Sequence, residues 1–437
     1  LSEAASTLRL SRPRFATRSR IVDALKVSSG NLLEMYDFMV FGYYAAAIGR
    51  AFFPAHSAFA SLMLSLMTFG AGYLMRPLGA LVLGSYTDRH GRRKGLIVTL
   101  TLMSVGTLTL ALTPGFSTIG YLAPVFVLAG RLVQGFSAGV ELGSVSVYLS
   151  EIATPGRKGF YVSWQSASQQ IAVIFAASLG VALNNTLGVA TMSAWGWRIP
   201  LLIGCAIVPA LFILRRSLPE TQAFAERTET LNARQVLSTL AANWKVVLTG
   251  MMMVAMTTVS FYLITAYTPT FGREVLKLGA NQVLIAALCV GGSNLVWLPI
   301  SGALSDRIGR KPILIASAAA AILTAYPVMA WLTAHPSFAH LLMGELWLSF
   351  LYGSYNGAMV VYLTEIVPAS VRASGFSLAY SLATCIGGFT PALCTWLIRA
   401  TGDKAIPGAW LTAAAISGLI AALIAKPARL AVRTQTV

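Results

Sequence analysis

Gly84-Ser-Tyr-Thr-Asp88-Arg89-His90-Gly91-Arg92-Arg93 recurs half a chain later as Gly302-Ala-Leu-Ser-Asp306-Arg307-Ile308-Gly309-Arg310-Lys311. A second echo pairs Tyr148-Leu-Ser-Glu151-Ile152 with Tyr362-Leu-Thr-Glu365-Ile366, and both offsets are close to half of the 437-residue chain. The chain therefore reads as two copies of one plan. In each signature Gly91 or Gly309 suits a sharp turn, and Gly84 suits close helix packing.

The composition says what kind of plan it is. The chain is 56% hydrophobic and 11% charged, with a mean hydropathy of +0.70. A soluble domain carries about a quarter charged residues, so these totals describe a polytopic membrane protein. The net charge of +17 is then a matter of topology, and no nucleic-acid partner is expected.

Apolar runs of about 20 residues, enough to cross a bilayer, number twelve: 27–49, 58–86, 96–113, 120–150, 159–184, 197–215, 244–271, 280–305, 312–333, 338–364, 373–400 and 406–426. The connections alternate in charge. One set holds His90 to Lys94, Arg157-Lys158, Arg215-Arg216, Arg307 to Lys311 and Arg372, whereas 114–119 and 185–194 hold no basic residue. The positive-inside rule places the basic set and both termini in the cytoplasm.

The expected organisation is a cytoplasmic arm at 1–26, a six-helix bundle at 27–215, a linker at 216–243, a second bundle at 244–426 and a tail at 427–437. Five arginines within 9–20, without a cleavable apolar run, read as a basic arm and not a secretory signal. The fold class is an all-α membrane protein of twelve transmembrane helices, two six-helix bundles related by a pseudo-two-fold. Secondary transporters are one group built from such parallel repeats, with the solute site at the midplane between halves.

Charges inside apolar runs are costly and mark function. In the fourth run Arg131, Gln134, Ala138 and Glu141 share one helical stripe. Arg131 lies about 16 Å from the outer end of its run, close to mid-membrane. Its fork of donors can grip a carboxylate bidentately, and its charge cannot be titrated away. In the first run Asn31, Glu34 and Asp37 follow at i, i+3 and i+6 on one side. Two buried carboxylates so close should not both stay ionised, which suits proton carriers; a fixed pairing with Arg131 or Arg76 is the structural alternative. Glu141 fits proton relay or pairing equally. Arg76 reads as an anchor or a solute contact, in the inner half of its run.

Neutral polar residues at similar depth are Gln165 and Gln169, Thr258, Tyr262 and Thr265, Asn294, and Tyr355 with Asn356; each also suits helix–helix bonding within a membrane. Shifting Arg131 by the offset of the second echo lands on Glu345, and Glu141 lands on Tyr355. The charges for anion and proton are thus expected in the first half, and neutral hydrogen bonding in the second. Cys205, Cys289, Cys385 and Cys394 lie in apolar runs without metal-ligand spacing. They read as small core residues, and no metal or cofactor is expected.

Gly84-x-x-x-Asp88-Arg89-x-Gly91-Arg92-Arg93 after the second run, with its echo after the eighth, resembles the signature of the major facilitator superfamily. Within it the chain is similar to the metabolite–proton symporters, through Gly30-Asn-Leu-Leu-Glu34-Met-Tyr-Asp37-Phe38, Arg76-Pro-Leu-Gly79, Arg131-Leu-Val-Gln134-Gly-Phe-Ser-Ala-Gly-Val-Glu141 and Leu218-Pro-Glu-Thr221. Gly139-Val-Glu-Leu-Gly143, Val147 to Gly156 and Trp164-Gln-Ser-Ala-Ser-Gln-Gln170 look like citrate and tricarballylate symporters.

The resemblance implies proton-coupled import of a tricarboxylate by alternating access, with no catalysis. Same-fold uptake of another organic acid or zwitterion (ketoglutarate, shikimate, betaine), or sodium coupling, are the alternatives. It further implies a bacterial-type inner-membrane location, a lipid environment and a monomer. Substrate contacts would come from Arg131, Gln134, Gln165, Gln169, Tyr262, Thr265, Asn294, Tyr355, Asn356 and Asn31, and proton coupling from Glu34, Asp37 and Glu141. Gating at the inner face would use Asp88, Arg89, Arg92, Glu151 with Arg157, Asp306, Arg310, and Glu365 with Arg372.

Overall fold

The computed structural model describes residues 31–139, 141–216, 233–368 and 371–426. The expected arm at 1–26, most of the linker (217–232) and the tail at 427–437 lie outside the described residues, as do the side chains of Asp88, Arg89 and Arg92.

Where described, each of the twelve apolar runs is helical, and no strand occurs among the described residues. The helices are α1 (31–52), α2 (58–90, broken at Met75), α3 (Arg92–Leu112), α4 (Leu122–Ile152), α5 (Lys158–Leu187) and α6 (Arg198–Arg216). After a short helix at Ala233–Ala242 come α7 (Trp244–Val275), α8 (Ala280–Ile308), α9 (Arg310–Ala334), α10 (Phe338–Ile366), α11 (372–401) and α12 (Ile406–Ile424). Nine described helices are long and apolar enough to cross a membrane, and α6 with the turn before it forms a further span bent by 62°. The other two, α1 and α10, carry the buried polar centre: Asn31, Glu34 and Asp37 on one, Glu345, Ser349 and Asn356 on the other.

Gly91 and Gly309 take φ of 97° and 99°, the left-handed side that glycine reaches without a Cβ clash. Both signatures therefore turn the chain sharply between helices. Gly84 is a correction: a Cβ there would meet no described atom within 4 Å. Its repeat partner Gly302 is the tight position, facing the carbonyl of Gly159 and the side chain of Ser163.

Backbone contact between α2 and α4 fixes the depth of both buried arginines. A Cβ at Gly135 would collide with the Gly72 carbonyl, one at Gly139 with the Arg76 carbonyl, and one at Gly72 would stand 3.0 Å from the Arg131 carbonyl. Small residues allow this approach where no hydrophobic drive separates helices from lipid.

The halves meet along two seams, α5 on α8 and α2 on α11. At the end bearing the signature loops, Asp306 accepts from the backbone N–H groups of Gly159 (2.8 Å) and Phe160 (3.0 Å). It thereby caps the first turn of a helix in the other half, whose N–H groups lack partners of their own. Arg310 holds Asp306 at 2.7 Å and Glu365 at 3.2 Å. At the opposite end Asn281 of α8 bonds Asn184 and Asn185 at the close of α5, at 2.9 and 2.7 Å. The α5–α8 seam is bonded at both ends.

Candidate functional site: two buried arginines and two carboxylates

Four charged residues of the first half are buried together. Arg131 is fully buried and Arg76, Glu34 and Asp37 are each 1% exposed. The two carboxylates of α1 do not share a partner. Arg76 Nη2 reaches Glu34 Oε1 at 2.5 Å, and Arg131 Nη1 reaches Asp37 Oδ2 at 3.2 Å. The i, i+3 spacing therefore points each acid at its own arginine, one from α2 and one from α4. The repulsion expected from the sequence is offset by two cations, and the cluster sums to zero formal charge.

Gln134 ties the second pair. It accepts from Arg131 Nη1 at 2.7 Å and donates to Asp37 Oδ2 at 2.6 Å and to Thr107 Oγ1 at 3.0 Å. Three aromatic faces enclose the guanidinium, with Cζ 3.9 Å from the Phe41 centroid, 5.0 Å from Phe38 and 5.8 Å from Phe69. Such stacking holds a desolvated cation. Arg131 Nε and Nη2, the side-on edge of the fork, find no acceptor among the described residues, and neither does Asp37 Oδ1 a donor. An unmatched buried donor costs about 1–3 kcal/mol, so this edge needs an explanation.

The other candidate residues divide by where they point. Asn31 donates to the Gln165 carbonyl at 3.2 Å and accepts from Gln169 at 2.9 Å, all within the first half. Asn294 of α8 crosses the seam to Gln170 at 3.2 Å and accepts from Ser349 at 2.7 Å. Gln170 is missing from the sequence candidates; its signal is the Gln169-Gln170 pair, whose members face about 100° apart. Tyr262 is buried at the α2–α7 contact, its ring 5.1 Å from that of Tyr73. Asn356 donates to Tyr352 at 3.1 Å. Thr258 bonds the Ala255 and Ala383 carbonyls, and Thr265 the Phe261 carbonyl one turn back.

Tyr355 points away from the others. Its hydroxyl bonds the Met253 carbonyl and abuts Gly418 of α12. Adjacent residues of a helix face about 100° apart, so Asn356 and Tyr355 do not serve one site. Tyr352, one turn before Asn356, shares its face of α10 and accepts its bond. Glu141 is buried. Glu345, the repeat partner of Arg131, accepts from Thr268 at 2.8 Å within the second half. At the signature end Glu365 is held by Arg310, not by the expected Arg372, and Glu151 and Arg157 are both exposed.

Pro77 explains one further crossing. It has no N–H for the carbonyl four residues back, which belongs to Tyr73, and Cys385 of α11 donates its thiol there at 3.2 Å. Cys385 therefore does more than fill a core.

The molecule thus has two six-helix halves, a signature turn in each, and buried charges beside the seam. Its sequence matches the Major Facilitator Superfamily over residues 27–390 and 295–434.

The chain belongs to the major facilitator superfamily.

Among its relatives in that superfamily is a citrate-proton symporter of Salmonella typhi, 59% identical over 91% of this chain and 92% of the relative. A citrate-proton symporter of Klebsiella pneumoniae is also 59% identical, over 96% and 94%. A D-xylose-proton symporter crystal structure superposes with a TM-score of 0.73 over 92% of this chain and 96% of that one, at 19% identity. That structural likeness speaks for the fold alone. The chain is a multi-pass membrane protein with the twelve-helix architecture of the superfamily.

Proposed function

We propose that the protein is a proton-coupled symporter that imports a tricarboxylate, citrate or tricarballylate, by alternating access. The observation that carries this is the unmatched Nε/Nη2 edge of Arg131, buried beside an acid that already occupies Nη1. A free guanidinium edge with two parallel N–H donors can seat a carboxylate bidentately. The identity to two citrate-proton symporters supports the choice of substrate and of coupling ion.

The mechanism follows from competition for one cation. At about 4 Å and an effective dielectric near 20, ionised Asp37 and Arg131 attract by about 4 kcal/mol. Protonating Asp37 frees the arginine for the substrate carboxylate, so proton and anion favour the same state. Glu34 and Glu141 are further proton sites in this reading. Moving one charge through 100 mV costs about 2.3 kcal/mol, so a bare trianion entering an inside-negative cell costs about 7 kcal/mol. About three accompanying protons make the passage electroneutral.

Access alternates by parting the α5–α8 seam at one end or the other. The Asp306 cap with Arg310 and Glu365 is the natural lock at the signature end, and Asn281 with Asn184 and Asn185 at the opposite end. The bundles of this reading are 27–215 and 244–426, joined by the 216–243 linker. The protein works as a monomer in the bacterial inner membrane, termini and signature loops on the cytoplasmic side.

The test is uptake of labelled citrate and tricarballylate into proteoliposomes under separately imposed proton and sodium gradients. Accumulation driven by the proton gradient is expected. Uptake indifferent to pH but driven by sodium would overturn the coupling, and uptake of neither acid would overturn the substrate.

A further inference from the structure

Asp37, Gln134, Phe38, Phe41 and Phe69, which touch the Arg131 guanidinium, all belong to the first half, yet alternating access requires the solute to touch both halves. Arg76 has the complementary surroundings. Its guanidinium stands 4.6 Å from the Tyr73 ring, and that ring lies 5.1 Å from the ring of Tyr262, which α7 brings from the second half; Tyr380 of α11, also from the second half, is within electrostatic range. Arg76 Nε has no hydrogen-bond partner among the described residues.

A fixed cation with tyrosines of three helices beside it is a donor-rich setting, and Glu34 is the acid it holds. Donors of this kind fit an ionised carboxylate, for which charge-assisted hydrogen bonds are the strong ones. The spacing to the first arginine also fits. Arg76 Cζ and Arg131 Cζ lie 5.2 and 5.0 Å from the centroid of the same Phe38 ring, so their separation cannot exceed those two distances laid end to end. One small polycarboxylate can span that gap.

We propose that Arg76, with the hydroxyls of Tyr73, Tyr262 and Tyr380, forms a second carboxylate seat that joins the two halves around the solute. This rests on the tricarboxylate reading above and assigns a second carboxylate of that molecule. Arg131 grips one carboxylate inside the first half, and the Arg76 seat makes the contact that only the closed seam completes. A solute with one carboxylate would bind at Arg131 without drawing the halves together.

The experiment is titration of purified full-length protein with citrate and tricarballylate, following affinity and unliganded thermal stability in the same samples. Tyr262→Phe and Tyr380→Phe keep the rings and remove the hydroxyls, so folding is preserved where Arg76→Lys could disturb it. Each is expected to weaken binding about tenfold, the loss of one hydrogen bond to a charged group, with little change in the unliganded midpoint. Tyr362→Phe is the control, a buried tyrosine of α10 whose hydroxyl bonds the Ala425 carbonyl. Unchanged affinity in both seam variants overturns this seat while leaving the tricarboxylate reading intact. Equal weakening in Tyr362→Phe also overturns it. Wild-type protein that binds neither acid removes the reading and the seat together.

Discussion

Arg76 and Arg131 approach the same ring, Phe38, from two different helices, and each is held by its own carboxylate on α1. A helix of the first half thus carries both acids and the aromatic spacer, while α2 and α4 supply the cations. The Gly72, Gly135 and Gly139 contacts hold α2 and α4 backbone to backbone, which sets the relative depth of the two arginines.

Arg131→Lys tests the fork. Lysine keeps the charge but presents a single point of donors in place of a planar edge. Citrate affinity is expected to fall about 10- to 100-fold, the loss of one or two charge-assisted bonds, in protein that still purifies as a single species. Near-normal affinity by direct titration would remove Arg131 from the solute contact.

The glycine contrast tests the helix packing that positions the site. Gly135→Ala drives a methyl into the Gly72 carbonyl, where no flexible side chain can yield. Overpacking typically costs about 1–3 kcal/mol, and a backbone obstacle places this variant at the upper end. Gly84→Ala meets open space among the described residues and is expected to leave the unfolding midpoint near that of wild type. Thermal unfolding of both variants in one detergent decides the point; equal midpoints would contradict the packing account.

Much of this is legible in the sequence, because depth along a helix is counted in residues. The repeated signature, the twelve runs and the charged stripe of Arg131, Gln134 and Glu141 follow from that count. Azimuth is harder. The count puts Arg76 well inside its run, but its exposure to Tyr262 and Tyr380 depends on α2 lying against α11, a contact between opposite halves of the chain. The same limit explains Gln170, which sits beside Gln169 but faces another way. Gly84 misleads for another reason: the two signatures share residues but not neighbours, and only Gly302 faces another helix closely.

Asp306→Ala tests the lock at the signature end. It leaves the Gly159 and Phe160 N–H groups without their acceptor and Arg310 without one of its acids. A cost of about 1–3 kcal/mol is expected, taken from the closed seam. The readout is thiol labelling of Ser163→Cys, a buried position on α5 facing Gly302. Labelling should accelerate in the Asp306→Ala background; an unchanged rate would show that the cap does not hold the seam.

The pairing of Asp37 with Arg131 is the centre of the coupling, and Asp37→Asn isolates it. Asparagine keeps a similar shape and frees the arginine permanently, but it carries no proton. The most direct measurement is the pH of the medium when citrate is added to proteoliposomes, recorded beside citrate exchange in the same preparation. The account predicts that wild-type protein alkalinises the medium as citrate enters. Asp37→Asn should still exchange citrate but carry fewer protons with each citrate than wild type. A variant that carried as many protons per citrate as wild type would contradict the role given to Asp37.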